Sequence, residues 1–403
     1  MKRLLFCLLS LFLAAGGWGA TLPGFRVQRV ASVASGFVSS IAIDSRGTIY
    51  LTTTNGSILR LDGTSPVSVA QVGTVAIGDS GLLGMALRDD RTAVVHYTTA
   101  NQVADVISSI DLTTGNETII HSFDADIEVP SRGSSAEHHG GNPIIAPDRS
   151  IFFCIGDYGV RVVASLPAWN GGKIWRVAPD GSAEQFALGV RNAFDLSWDA
   201  ANQRLIAPDN GADVDDEINI VHAGDNLGWP FTAGNMPNID GDVPPVYVFP
   251  QIVAPTGFLS LSGRNSVLQH GYLLGAFVTK AIYYIADIDH PAPIAVIRGE
   301  TSSIIDVAQA PNGDLYFVTG TAVYRLFTPK RGDCNGDGFL DANDLPALLA
   351  ELADGDGEPM TSAQDGAYGG SWGCDVNGDG LIDERDVAAL QSLLNLHVRA
   401  VRH

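Results

Sequence analysis

A strand–turn–strand unit returns along the middle of this chain and restricts its fold more than any other feature. It reads Ile41-Ala42-Ile43, a polar Asp44-Ser45-Arg46-Gly47 turn, then Thr48-Ile49-Tyr50-Leu51. Copies occupy residues 144–153, 196–206 and 307–317, with turns at Pro147-Asp148-Arg149-Ser150, Asp199-Ala200-Ala201-Asn202-Gln203 and Pro311-Asn312-Gly313-Asp314. Asp and Asn bond nearby backbone and tolerate left-handed φ, and Pro presets a turn's entry. A third strand of alternating type follows several copies: 57–61, 173–177 and 322–326. Such a unit cannot bury both faces alone, so it must stack on its neighbours. Radial repetition gives a β-propeller. Blade centres near residues 50, 95, 152, 206, 275 and 316 predict six blades within 21–328. A flat β-sandwich is the alternative, and the period suits it less well.

The N-terminus has a different pattern. Lys2 and Arg3 precede an apolar run, Leu4 to Ala15, which ends in small residues around Gly17-Trp18-Gly19-Ala20. A charged start, a short apolar core and a small-residue exit describe a secretory signal peptide over 1–20, cut near residue 19 or 20. The run is shorter than the roughly 20 apolar residues that span a bilayer, and no later stretch reaches that length. The chain is therefore expected to be secreted or periplasmic. Its net charge of −21 argues against a nucleic-acid partner, which needs a basic footprint.

Roughly half of that net charge lies from Arg331 onward, a stretch that contains two matching loops. The first carries Asp333, Asn335, Asp337, Asp341 and Asp344; the second carries Asp375, Asn377, Asp379, Asp383 and Asp386. These are positions 1, 3, 5, 9 and 12 of a twelve-residue calcium loop. Gly338 and Gly380 stand at position 6, and the Phe339 and Leu381 carbonyls at position 7 supply a further oxygen. Two bound calcium ions are expected. An apolar-periodic stretch follows each loop, 345–352 and 387–396, and predicts a short helix. Cys334 and Cys374 flank the loops as a disulfide candidate, whereas Cys154 sits in an apolar strand as a buried thiol. The duplicated loop-then-helix unit over 329–403 resembles a type I dockerin, which implies a cohesin-like protein partner. The segment between the loops is longer and richer in Gly than in that family. Loop positions 10 and 11 are Ala342-Asn343 and Glu384-Arg385 instead of the Ser/Thr pair usual there.

Three polar stretches in the propeller region carry chemistry. They are His138-His139-Gly140-Gly141 before a strand that runs to Gly156-Asp157, the Arg191-Asn192 pair, and Asp209 to Asn219 leading on to Gly228-Trp229-Pro230. With Gly81-Leu82-Leu83-Gly84-Met85-Ala86, and in this order from about Gly24 to Phe327, they resemble the soluble glucose/sorbosone dehydrogenases. Those are six-bladed propellers that use pyrroloquinoline quinone (PQQ) to oxidise small sugars. The resemblance implies His138 as general base, Asp157 orienting its imidazole, and Arg191 against the quinone oxygens. It also implies Asp79, Asn192 and Lys280 as cofactor contacts, and the Gly211 and Ala212 carbonyls as ligands of a third calcium. The chain departs from the family at Ser303 and Ile305, where paired arginines are usual, at His139 in place of Asn, and at Asn142 in place of a basic residue. Each lost cation would remove a charge-assisted contact of roughly 1.5–3 kcal/mol to an anionic cofactor. A non-catalytic propeller binding glycan or protein, and a calcium-dependent hydrolase or lactonase, stay open beside a sugar oxidoreductase. Zinc at the adjacent His138 and His139 is disfavoured, because sequence neighbours rarely chelate one ion.

Overall fold

The computed structural model describes residues 18–20, 25–125, 137–200, 202–212, 215–237, 239, 241–265, 267–299, 302–327, 330–335, 339–354, 373–379 and 381–400. Most of the expected leader and the loop residue Asp337 lie outside them. The chain divides into two compact units, one built on Arg29–Arg325 and the other on Leu326–His403 with Pro23–Gln28.

The six predicted blades are present as six antiparallel sheets. Their innermost strands are Val38–Ile43, Leu82–Asp89, Ile144–Ile145, Ser197–Asp199, Pro255–Ser260 and Asp306–Gln309. The second strands fall where the repeat put them, at Ile49–Thr53, Thr92–Thr98, Ile151–Ile155, Arg204–Asp209, Tyr272–Ala276 and Leu315–Thr319. The sixth blade takes its outer strand from the other end of the chain: Arg26–Ser32 lies beside Ala322–Phe327. In the fifth blade Trp18–Ala20, inside the segment expected to be cleaved, pairs with Gly299, Arg298 and Ile297.

The turns form for the predicted reason. The Asp44 carboxylate accepts the Arg46 and Thr48 N–H groups at 2.9 and 2.7 Å, Asp148 accepts Ser150 N–H at 2.9 Å, and Asn312 accepts Asp314 N–H at 3.0 Å. Each repeat then needs one left-handed residue. Gly47 and Gly313 supply it without strain at φ 87° and 94°, whereas Arg149 and Gln203 adopt it at 70° and 57°. The cores lie between blades. Every residue of Ile49–Thr53, Ile151–Ile155 and Tyr272–Ala276 is buried, because second strands are covered on both faces. This explains their continuous apolar runs. One cluster joins Phe153, Ile155 and Val177 of the third blade to Val94, Ile107 and Phe123 of the second. Cys154 is buried as expected, and burial pushes its thiol well above the usual range.

The second unit contains helix α1 (Asp344–Asp354) and helix α2 (Glu384–Ala400), each somewhat longer than its apolar pattern indicated. The Cys334–Cys374 disulfide forms, with Cα atoms 4.8 Å apart. It packs with Leu348, Val376, Ile382 and Leu390 in a small core.

Candidate active site

His138 is the first residue of the site to be fixed by its backbone. At φ 56° it occupies the left-handed region, a costly conformation for a side chain with a Cβ. Gly140, at φ 86°, follows; a Cβ there would lie 1.9 Å from the Cys154 carbonyl, so the loop packs directly on the strand that ends at Ile155. This tight path splits the two neighbouring imidazoles. His138 Nδ1 lies 2.6 Å from Asp157 Oδ1, whereas His139 Nδ1 lies 3.0 Å from Asp105 Oδ1 in the interior. The two rings thus have different carboxylate partners.

Asp157 is almost wholly buried, and both of its oxygens accept hydrogen bonds. Besides the imidazole, Oδ1 accepts Gly159 N–H at 2.9 Å, and Oδ2 accepts the Trp229 indole N–H at 2.8 Å. The Asp157 N–H donates to the Arg191 carbonyl at 2.8 Å, which ties the dyad to the fourth blade's approach. Trp229 was visible in sequence only as part of a motif; its role as the second clamp on Asp157 depends on folding. The Arg191 guanidinium lies over the same indole at 5.7 Å and donates from Nη1 to the Asn210 carbonyl at 2.9 Å. Arg161 lies over it as well, at 5.3 Å.

Asp209 organises the Arg191-Asn192 pair. Its two oxygens accept the Arg191 and Asn192 backbone N–H groups at 2.8 and 2.6 Å. Burial pushes its carboxyl up to about 6 against those hydrogen bonds. Its cross-strand partner Glu217 is pushed up to about 7, by burial first and by Asp209 second. The Asn192 side-chain oxygen accepts Gly140 N–H at 3.2 Å, and the His138 N–H donates to Asp79 Oδ2 at 2.7 Å. Asp79, His138, Asp157, Arg191 and Asn192 therefore form one connected network.

The remaining expected residues are Lys280, Gly211 and Ala212. Lys280 occupies the turn before Ala281–Ile285, three residues after Phe277. Gly211 donates its N–H to Asp216 Oδ1 at 2.9 Å, and Ala212 follows it half-buried; neither shows a convergent ligand set. Lys173 escaped the sequence reading altogether. It is fully buried, with Nζ donating to the Val163, Ala164 and Gly171 carbonyls at 2.8, 3.1 and 2.7 Å. It therefore holds the loop that carries Gly159 and Arg161. A lysine in an apolar strand gives no hint of this cage.

A cavity of about 530 Å³ opens beside the network. Asp79 and Asn192 line it with Phe37, Leu83, Phe194, Phe277 and Ile305. Among the described lining residues none is Lys or Arg, and Asp79 is the one charged group. With no cation among them, these described residues do not fit the three carboxylates of PQQ, whose desolvation calls for opposite charge.

In the second unit the two acidic loops repeat one geometry. The position-12 carboxylate accepts the position-3 and position-9 N–H groups in both: Asp344 from Asn335 at 3.2 Å and Asp341 at 2.8 Å, Asp386 from Asn377 and Asp383 at 2.9 Å each. Arg385 pairs with Asp379 at 3.0 Å and Asp383 at 2.6 Å. Asp375 and Asn377 accept loop N–H groups, and the Phe339 and Leu381 side chains are exposed. Asp333 is buried at the start of the first loop. Among the described residues no three His, Cys, Asp or Glu side chains converge tightly enough to hold a metal.

A six-bladed propeller presenting a histidine–carboxylate dyad beside a cleft defines the class of this unit. The chain belongs to the Glucose / Sorbosone dehydrogenase family, whose profile matches residues 39–327. It is 30% identical over 225 residues to quinoprotein glucose dehydrogenase B of Acinetobacter calcoaceticus, covering 44% of this chain and 47% of that protein. It is 24% identical over 217 residues to the aldose sugar dehydrogenase YliI of Escherichia coli, covering 46% and 58%. The matches thus span about half the length of these relatives. The PQQ-bound form of an aldose sugar dehydrogenase from Streptomyces coelicolor shares the fold, with a TM-score of 0.64 at 23% identity over 78% of this chain and 99% of that one. Among the described residues no helix is long and apolar enough to cross a membrane.

Proposed function

We propose that the propeller is an aldose oxidoreductase and that His138 is its general base. The observation that carries this reading is the 2.6 Å contact from His138 Nδ1 to a buried Asp157 that Trp229 and Gly159 hold in place. A carboxylate at Nδ1 favours the tautomer whose Nε2 is a lone-pair acceptor. His138 Nε2 takes the proton from the sugar hydroxyl while the C–H of the same carbon departs as hydride, leaving a carbonyl. Both electrons go to an acceptor seated in the adjoining cavity. Arg191 lies at that side of the network and offers positive charge to the oxyanion that develops. No step here requires PQQ itself. The non-catalytic alternative gives no reason for an imidazole held in a strained backbone conformation against a buried carboxylate; a hydrolase would use the same dyad, and the family match favours the oxidoreductase over it.

The test is dye-linked oxidation of a panel of aldoses by the full chain with calcium and either PQQ or its uncharged trimethyl ester. Sugar-dependent dye reduction should fall by about 10²–10⁴ in His138→Ala with the fold retained. Absence of sugar-dependent reduction with both rings would sink the reading.

For residues 329–403 we propose a dockerin-like module that binds two calcium ions and docks a cohesin-like protein, on an exported chain. The matched hydrogen bonding of Asp344 and Asp386 supports the duplication, and the disulfide suits an oxidising compartment. The Asp379 and Asp383 carboxylates paired with Arg385 are the groups a calcium ion would take over. A third calcium at the Gly211 and Ala212 carbonyls has no comparable support.

A further inference from the structure

The cavity beside the dyad is specific in what it lacks. It has room for a multi-ring ligand, since about 530 Å³ falls within the usual range of ligand clefts. Three phenylalanines line it, and Phe37 and Phe277 are exposed enough to offer ring faces. Aromatic faces of this kind stack planar rings. Its polar lining, however, is largely committed elsewhere. Ser39 donates its hydroxyl to the Leu82 carbonyl at 2.7 Å, and Thr256 donates to the Ile304 carbonyl at 3.0 Å. Asn210 directs its amide N–H groups to the Asn192 and Pro255 carbonyls at 2.9 Å each. Asp79 adds a negative charge at the rim, and Ile305 is a buried aliphatic side chain in the wall. The Arg191 guanidinium is tied to this wall through the Asn210 carbonyl and lies over the Trp229 indole.

We infer that this cavity takes a planar aromatic redox ring bearing no more than one carboxylate, and that it selects against a tricarboxylated quinone. Ser39, Thr256 and Asn210 cannot turn to a ligand without giving up those bonds, which leaves the Asn192 amide N–H groups and the Thr54 hydroxyl as neutral donors on the wall, enough for about one carboxylate. Among the described lining residues there is no cation, and the Asp79 carboxylate adds to the charge that a tricarboxylate would bring. The aromatic wall, in contrast, needs no charge to hold a ring. This inference rests on the oxidoreductase reading for the word redox, but its binding test is independent of turnover.

The experiment is a calorimetric titration of the full chain, with calcium and without sugar, using PQQ and its trimethyl ester. The two probes share one ring system and differ in charge. The ester is expected to bind at least about tenfold tighter, the ratio set by roughly one charge-assisted contact. Asp79→Asn, which keeps an oxygen for His138 N–H, should strengthen PQQ binding several-fold and leave the ester within about twofold. Ile305→Arg should act in the same direction if it folds. PQQ binding as tightly as the ester, or neither ring binding, overturns the inference. PQQ binding tightly with sugar oxidation intact would refute this inference and leave the oxidoreductase reading standing. The predicted binding order without any sugar oxidation would do the reverse.

Discussion

Changing Asp157 to Asn removes one negative charge and converts one acceptor oxygen into a donor. The site has no neutral way to absorb this. Asp157 now receives three donors: His138 Nδ1–H at 2.6 Å, Gly159 N–H at 2.9 Å and the Trp229 indole N–H at 2.8 Å. If the amide oxygen stays on the His138 side, the new NH₂ faces the indole N–H, and a buried donor is orphaned at about 1–3 kcal/mol. If the amide flips, its NH₂ faces His138 Nδ1 and forces the other tautomer, with the proton on Nε2. That imidazole cannot accept a proton from substrate, and losses of about 10⁴ in turnover are known for such inversion in a carboxylate-backed imidazole. Either outcome is detectable. Dye-linked kcat should fall by about 10³-fold or more in the flipped form, which also orphans Gly159 N–H; the unflipped form should lose a similar amount of stability, about 1–3 kcal/mol, with kcat less affected. Nitrogen-15 imidazole spectra of wild type and Asp157→Asn report the His138 tautomer without any cofactor. Unchanged tautomer, stability and kcat in Asp157→Asn would refute the dyad as the organiser of the site.

Lys173→Met should cost several kcal/mol in chemical denaturation, because it removes three charge-assisted hydrogen bonds from a buried cage; a change below about 1 kcal/mol would contradict the cage. Stability should also depend on pH through Asp195 and Asp306, two buried carboxyls. Burial raises both, Asp306 to about 6 and Asp195 well above the ordinary range, with the Asp306 charge adding to Asp195. A raised carboxyl pKa means the native state holds more protons than the unfolded chain between about pH 4 and 6, so stability falls as pH rises through that window. A flat denaturation midpoint from about pH 4.5 to 7 would rule this out. Removing calcium should lower the thermal stability of the 329–403 module and spare the propeller; a chelator-insensitive transition there would exclude the calcium loops.

The ring was legible because its repeat is local: each Asp or Asn turn bonds its own backbone, as at Asp44 and Asp148, so the signal lies within a few residues. The fully buried second strands were legible for a related reason, since two covered faces leave a continuous apolar run. The dyad was half legible. His138 and Asp157 flank a strand in one blade, but the Trp229 clamp arrives from 72 residues away and no local pattern encodes it. Lys173 and the cavity wall were hidden altogether. Phe37, Phe194, Phe277 and Ile305 come from different blades and look like ordinary core positions until the ring closes around them. In the loops beyond Arg331 the oxygen spacing was plain in sequence, whereas the Arg385 pairing with Asp379 and Asp383 appears only once the loop is folded.

The outer strand of the sixth blade, Arg26–Ser32, is among the first parts of the propeller to be synthesised, while its neighbour Ala322–Phe327 is among the last. The circle therefore cannot shut until almost the whole propeller has emerged. Until then both of its open ends display unpaired peptide groups that invite pairing with other chains. Latching of distant ends is slow because loop-closure entropy must be overcome first. During synthesis this imposes a waiting period in which a chaperone, or dilution, has to keep nascent molecules apart.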